Sequence, residues 1–327
     1  MNFQRIGIVG GGAWGTALAQ VSASDGSDVL MWVLEQEVAD AINGLHVNSV
    51  YLPGITLSPA IRATTSLADL ASCDLLLLVA PAQHLRTVLS GLPREDVPLI
   101  LCAKGIEANT QMLMSEVAAD VTNAPIAVLS GPTFAFEVAS GLPTAVTLAC
   151  EDEALGRALA ARIARPTFRP YASTDVIGAE IGGAVKNVLA IGCGVVEGRG
   201  LGQNARAALI SRGFAEMTRF GLARGARQET LAGLSGLGDL VLTCSSTSSR
   251  NFSLGKGLGE GRTAAETLAD KRSIAEGAFT APVLQQAARA VGVDMPVVDA
   301  VCAMLAGEAH VDAVVESLMA RPLRTEG

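Results

Sequence analysis

At 327 residues, half of them hydrophobic and 17% charged, the chain has enough apolar material for two cores and is no disordered polymer. A formal net charge of -8 argues against nucleic acid as a main partner, because phosphate neutralisation needs a basic face. The start, MNFQRIGIVGGG, lacks an export-signal pattern, and no run approaches the roughly 18 uncharged apolar residues of a membrane span, so a cytoplasmic location without a span is expected.

Through the first 150 residues, short apolar runs alternate with helix-like segments: Arg5 to Val9, Asp28 to Val33, Leu75 to Ala80, Leu99 to Ala103, Ile126 to Leu129 and Ala145 to Ala149. Runs such as DLLLLVA are apolar on consecutive residues, as expected of central parallel strands covered on both faces. The expectation is an α/β, Rossmann-like doubly wound sheet. Beyond about Thr174 the strand-like runs give way to alanine- and leucine-rich segments at helical spacing, predicting an all-α second half. The boundary is placed near Ile177, giving domains 1–177 and 178–327. Cys73, Cys102, Cys150, Cys193, Cys244 and Cys302 stand apart from one another and from the three histidines, so they read as reduced core thiols, and no metal site is expected.

Gly10, Gly12 and Gly15 form G-x-G-x-x-G directly after the strand RIGIV and before the helix-like TALAQVSAS. The first glycine permits the tight turn, the second admits a pyrophosphate and the third lets helix pack on strand. Gly192-Cys193-Gly194 lies in a glycine-rich stretch without a preceding strand and is discounted. At the end of the second strand the sequence reads Trp32, Val33, Leu34, Glu35, where a dinucleotide-binding domain places an acid for ribose or an arginine for a 2′-phosphate. Glu35 reads either as a ribose acceptor or as a solvated residue opening the next helix. With no arginine beside it, NAD is preferred over NADP.

Dehydrogenation of an alcohol needs a group that takes the hydroxyl proton as hydride leaves. Lys186, in the apolar run IGGAVKNVLAIGCG, is one of four lysines, and burial there would lower its pKa. Its alternative is to snorkel to solvent. Lys104 follows the strand LILCA just before Gly105, where ligands of open α/β sheets gather, although a surface turn would also accept a lysine. Farther on, SGLGDLVLTCSSTSSRNFSLG carries Asp239, then a hydroxyl-rich loop, then Arg250 and Asn251. Arg250 offers a planar fork suited to phosphate, or a solvated side chain; Asp239 by itself could be a helix cap.

Five segments in order resemble the NAD(P)-dependent glycerol-3-phosphate dehydrogenase family over essentially the whole chain: GGGAWGTALA, CAKGIE, LSGPTFAFEVASGLPTA, VKNVLAIGCGVVEGRGLGQNARAALISRG and GLSGLGDLVLTCSSTSSRNFSLGKGLGEG. The resemblance implies reversible reduction of dihydroxyacetone phosphate to sn-glycerol 3-phosphate, a phospholipid precursor, and only weakly a homodimer. It implies Lys186 as proton donor and acceptor with Asp239 beside it, and Lys104, Gly131, Thr133, Ser249, Arg250 and Asn251 around substrate. Ala13, Trp14, Ala135, Ile274 and Glu276 fall at implied cofactor contacts, joined by Lys104 and Arg250. Many bacterial members carry an arginine or histidine where this chain has Leu34, a departure that favours NAD. The rival readings are a dehydrogenase of another hydroxy acid, disfavoured by Arg250 and Asn251, and a catalytically silent NAD-binding protein, disfavoured by the joint presence of Lys104, Lys186 and Asp239.

Overall fold

A computed structural model describes residues 3–268 and 275–320. Its strands are β1 (Ile6–Val9), β2 (Val29–Trp32), β3 (Val47–Asn48), β4 (Leu52–Thr56), β5 (Ile61–Thr64), β6 (Leu75–Leu78), β7 (Leu99–Leu101), β8 (Ile126–Ser130), β9 (Thr144–Ala149) and β10 (Phe168–Ser173). The helices of the first half are α1 (Ala13–Ala23), α2 (Gln36–Leu45), α3 (Leu85–Ser90), α4 (Met114–Val121), α5 (Ala135–Ala139) and α6 (Glu153–Ile163). The second half is helical: α7 (Val176–Gly198), α8 (Gly202–Ala223), α9 (Gln228–Leu231), α10 (Asp239–Thr243), α11 (Arg250–Gly259), α12 (Ala264–Leu268), α13 (Glu276–Ala290), α14 (Pro296–Leu305) and α15 (Val311–Met319).

Eight strands form one sheet in the order β10-β9-β8-β7-β6-β1-β2-β5, while β3 and β4 pair as a separate hairpin. Alternate residues of β6 enter different cores: Leu75 and Leu77 pack on one face of the sheet, Leu76 and Leu78 on the other. That is why the run LLLL has no polar alternation. Strand β1 pairs in parallel with β2 on one side and β6 on the other, so the chain's winding reverses there and opens a crevice at its carboxyl end.

One pair departs from the parallel pairing expected of the central strands, and two edge strands lack the apolar runs that mark the others. Strand β9 runs antiparallel to β8, because the connection crosses the same end of the sheet with α5 packed on α1, and so returns the chain in the opposite direction. Strands β5 and β10 carry no long apolar run because they are the two edges; β10, with the sequence FRPYAS, leaves much of its length exposed.

Helix α7 is the axle of the second half. By length and composition it is the one helix among the described residues apolar enough to cross a membrane, yet it is buried within the fold. A helix apolar on all sides needs close partners. A Cβ at Gly194 would collide with the carbonyl oxygen of Phe252, and one at Gly255 with that of Ile191, so small residues let α7 and α11 approach backbone to backbone. Gly192-Cys193-Gly194 therefore serves helix packing. The six cysteines are free, five of them buried.

Candidate active site

The glycine turn lies at the carboxyl end of β1. Gly10 has φ +132°, a conformation a side chain would strain, and a Cβ on Gly15 would collide with the carbonyl oxygen of Gly10. Gly12, which opens α1, has nothing within 4 Å of its would-be Cβ. Close packing therefore demands glycine at the first and third positions, whereas the second faces open space with the free amides of α1 beside it. Trp14 Nε1 is buried without a partner on the same turn. Open space, unpaired donors and a helix N-terminus fit a dinucleotide pyrophosphate.

A cluster of charge sits where α7 and α10 meet the strand ends. Lys186 Nζ donates to Asp239 Oδ1 at 2.7 Å and to Thr243 Oγ1 at 2.9 Å. Lys104 Nζ donates to Asp239 Oδ2 at 2.7 Å and to the carbonyl oxygen of Gly131 at 3.2 Å. Asp239, fully buried, thus holds one lysine on each carboxylate oxygen. Burial lowers the Lys186 pKa to about 8; Asp239 opposes that fall and the neighbouring Lys104 charge adds to it. A lysine there exchanges its proton near neutral pH, as a general acid or base must.

The residues expected around substrate lie at or near this cluster. Gly131 has φ +151°, and its carbonyl oxygen, which Lys104 meets, also accepts from Thr133 Oγ1 at 3.3 Å. Asn251 Nδ2 donates to Asn187 Oδ1 at 3.0 Å, and Asn251 Oδ1 accepts from the Gly277 amide at 2.9 Å, tying α11, α7 and α13 together. Ser249 caps α11 by accepting from the Phe252 amide at 3.2 Å, and Arg250 begins that helix with an exposed side chain. Glu276, the first residue of α13, has its carboxyl pKa pushed up by burial against the opposing charges of Arg250, Lys104 and Lys186.

Comparisons with known proteins place the chain in a family. The family profile for the NAD-dependent glycerol-3-phosphate dehydrogenase N-terminus covers residues 5–156, and that for the C-terminus covers 175–316. The chain belongs to this family. It is 61% identical over 327 residues to glycerol-3-phosphate dehydrogenase [NAD(P)+] 1 of Sphingopyxis alaskensis, covering 100% of this chain and 99% of that protein. The homologous glycerol-3-phosphate dehydrogenase [NAD(P)+] of Erythrobacter litoralis is 64% identical, with 98% of each chain covered. A crystal structure of glycerol-3-phosphate dehydrogenase from Coxiella burnetii superposes with a TM-score of 0.92 at 37% identity, covering 98% of this chain and 99% of that one.

Within this glycerol-3-phosphate dehydrogenase family fold, Lys104, Lys186, Asp239, Gly131 and Thr133 come together directly, while Asn251 joins a neighbouring network. Asp239 is the first residue of α10 and makes no cap bond, so the helix-cap alternative does not hold. Lys186 is buried and does not snorkel. Ala13 and Trp14 begin α1, and Ala135 begins α5, which packs on α1. Leu34 is 74% exposed, and Glu35 opens α2 with its carboxylate accepting from the Tyr51 hydroxyl at 2.8 Å. Ile274 lies outside the described residues.

Three contributors escaped the sequence reading. Thr243, the second partner of Lys186, stands four residues after Asp239 and so on the same helical face, a spacing that could have flagged it. Asn48 and Tyr51 sit on the β3–β4 hairpin and reach the dinucleotide crevice only through the fold. No local pattern marks them.

Proposed function

We propose that this chain catalyses the reversible NAD(P)H-dependent reduction of dihydroxyacetone phosphate to sn-glycerol 3-phosphate, with Lys186 as proton donor and acceptor. The observation that carries this reading is the buried Asp239 bridging Lys186 and Lys104. A bound reduced nicotinamide supplies the hydride. In reduction the Lys186 ammonium gives a proton to the carbonyl oxygen of the substrate; in oxidation the neutral amine takes it from the hydroxyl. Asp239 offsets part of the charge of the two lysines and orients both, and Thr243 holds Lys186 in line. Lys104, Gly131, Thr133, Ser249, Arg250 and Asn251 surround substrate, with Arg250 as the planar partner of the phosphate. Cationic groups concentrated in one cleft of an acidic chain draw a dianionic substrate to that cleft.

Residues 1–177 are assigned to dinucleotide binding and 178–327 to substrate and catalysis. Gly10, Gly12, Ala13, Trp14 and Gly15 hold the pyrophosphate end, and Ala135 and Glu276 are assigned to the cofactor beyond it; Ile274 is carried as a cofactor contact from the family resemblance alone. Leu34 and Glu35 hold the adenosine end. The preferred cofactor is NAD, since Glu35 is an anion with no cation between Leu34 and Asp40 to receive a 2′-phosphate. The reading extends to a cytoplasmic homodimer serving glycerophospholipid synthesis, which free, buried thiols support as to compartment. The deciding experiment follows reduced-nicotinamide absorbance with dihydroxyacetone phosphate and each cofactor in turn. Turnover favouring NADH is expected; no turnover with either would sink the activity, and an advantage for NADPH would sink the cofactor assignment.

A further inference from the structure

The hairpin turn between β3 and β4 is bound to both ends of the dinucleotide crevice. At one end Asn48, 1% exposed, donates from Nδ2 to the Gly11 carbonyl oxygen and to Thr16 Oγ1, each at 2.8 Å, so the turn is fastened to the glycine motif and the first turn of α1. Asn48 Oδ1 accepts from the Tyr51 amide at 3.2 Å, which sets the course of the turn. At the other end the Tyr51 hydroxyl donates to Glu35 Oε1 at 2.8 Å across 16 positions of sequence. The Tyr51 ring is half-buried against the core below β2, so its hydroxyl is held in place by packing. Glu35 therefore does not swing freely, as a solvated helix-opening residue would.

We propose that Tyr51 is a specificity-determining positioning residue, which holds the Glu35 carboxylate at the adenosine end so that the enzyme favours a dinucleotide bearing a free ribose 2′-hydroxyl. The inference rests on the dinucleotide reading above. With Oε1 occupied by Tyr51, Oε2 is left to accept from ribose hydroxyls, and the fixed negative charge repels a 2′-phosphate. Glu37 adds a second negative charge nearby, and residues Leu34 to Asp40 supply no cation to offset either. Asn48 couples this position to the pyrophosphate turn, so the two ends of the crevice are spaced by one rigid hairpin.

The test is a titration of the whole protein with NADH and with NADPH, read by quenching of its two tryptophans, Trp14 and Trp32, which lie at the glycine turn and at the end of β2. Tyr51→Phe keeps the ring and removes the donor. Its Kd for NADH should rise roughly threefold to tenfold while that for NADPH changes less than about twofold, the loss expected for one ordinary hydrogen bond, since Tyr51 acts on the nucleotide only through Glu35. Glu35→Gln, which removes the charge and keeps an acceptor for Tyr51, should tighten NADPH. Glu35→Ala removes the group that Tyr51 holds, so adding Tyr51→Phe to it should weaken NADH binding no further, because the two groups act as a unit. Equal weakening for both nucleotides, no change, or additive losses would each overturn the proposal. Nucleotide binding is read without substrate, so a failure to turn over dihydroxyacetone phosphate would remove the activity and leave this test intact.

Discussion

Lys186 Nζ lies 2.7 Å from Asp239 Oδ1, a contact spanning 53 positions of sequence between two buried side chains. The pair is not isolated, since Lys104 occupies the other carboxylate oxygen. One anion therefore serves two cations, and burial decides the outcome for the deeper one, bringing Lys186 to about 8.

Replacing Lys186 by Met should retain dinucleotide binding and lower turnover by about 10²- to 10⁴-fold, the usual contribution of a positioned acid or base. Nucleotide titration alongside steady-state kinetics separates the two effects. Near-native turnover in a variant that binds NADH would remove Lys186 from the mechanism.

The lowered Lys186 pKa fixes the sign of the pH dependence. Reduction needs the ammonium, so its kcat should fall as pH rises through about 8, while oxidation needs the amine and should rise over the same interval. Asp239 holds the pKa up, so Asp239→Asn should move both limbs to lower pH. Profiles in both directions check this, and limbs of the same sign would contradict it.

Arg250 is exposed and begins α11, so its loss should spare the fold and cost substrate affinity. Arg250→Ala should raise KM for dihydroxyacetone phosphate roughly tenfold to a hundredfold, as expected for a charge-assisted hydrogen bond, and Arg250→Lys should recover part of it. Initial-rate kinetics and a melting curve together make the check.

Close approach of α7 and α11 predicts a contrast between two glycines. Gly194→Ala drives a methyl into the Phe252 carbonyl and should destabilise by about 1 to 3 kcal/mol. Gly44→Ala, on α2 with nothing within 4 Å, should stabilise by about 0.5 to 1 kcal/mol. Denaturant unfolding of both variants measures the difference, and a neutral Gly194→Ala would deny the close contact.

Glu216 is buried on α8 and accepts from the amides of Val297 and Val298, capping α14 from outside its own sequence. Burial raises its pKa from 4.5 to about 7 against those two donors. The folded state thus binds the proton more tightly than the unfolded one, so this stabilisation is present below 4.5 and is lost as pH rises through about 7. Glu180, capping α4 through Ser115, is raised to about 7 by burial and adds a contribution of the same sign. Melting temperatures from pH 4 to 8 (roughly the span of the titration) should fall less steeply in Glu216→Gln than in the unaltered chain.

Sequence periodicity reached the central strands because Leu75 to Leu78 and their neighbours are buried on both faces, which leaves only apolar residues acceptable. It missed β5 and β10 because an edge strand is free to be polar. The same limit applied to the site. Lys186 and Lys104 were conspicuous as rare cations in apolar surroundings, whereas Thr243, Asn48 and Tyr51 are ordinary residues in ordinary local sequence.

By itself the sequence determined the dinucleotide turn, the order of α/β then helical halves, and the family, because glycine geometry and burial on consecutive residues are local requirements. Only the tertiary structure decided which carboxylate meets which lysine, and that Glu35 is held by Tyr51. Those contacts join residues 135, 53 and 16 positions apart, and packing of whole helices and a hairpin sets them. No short-range pattern of side chains carries that information.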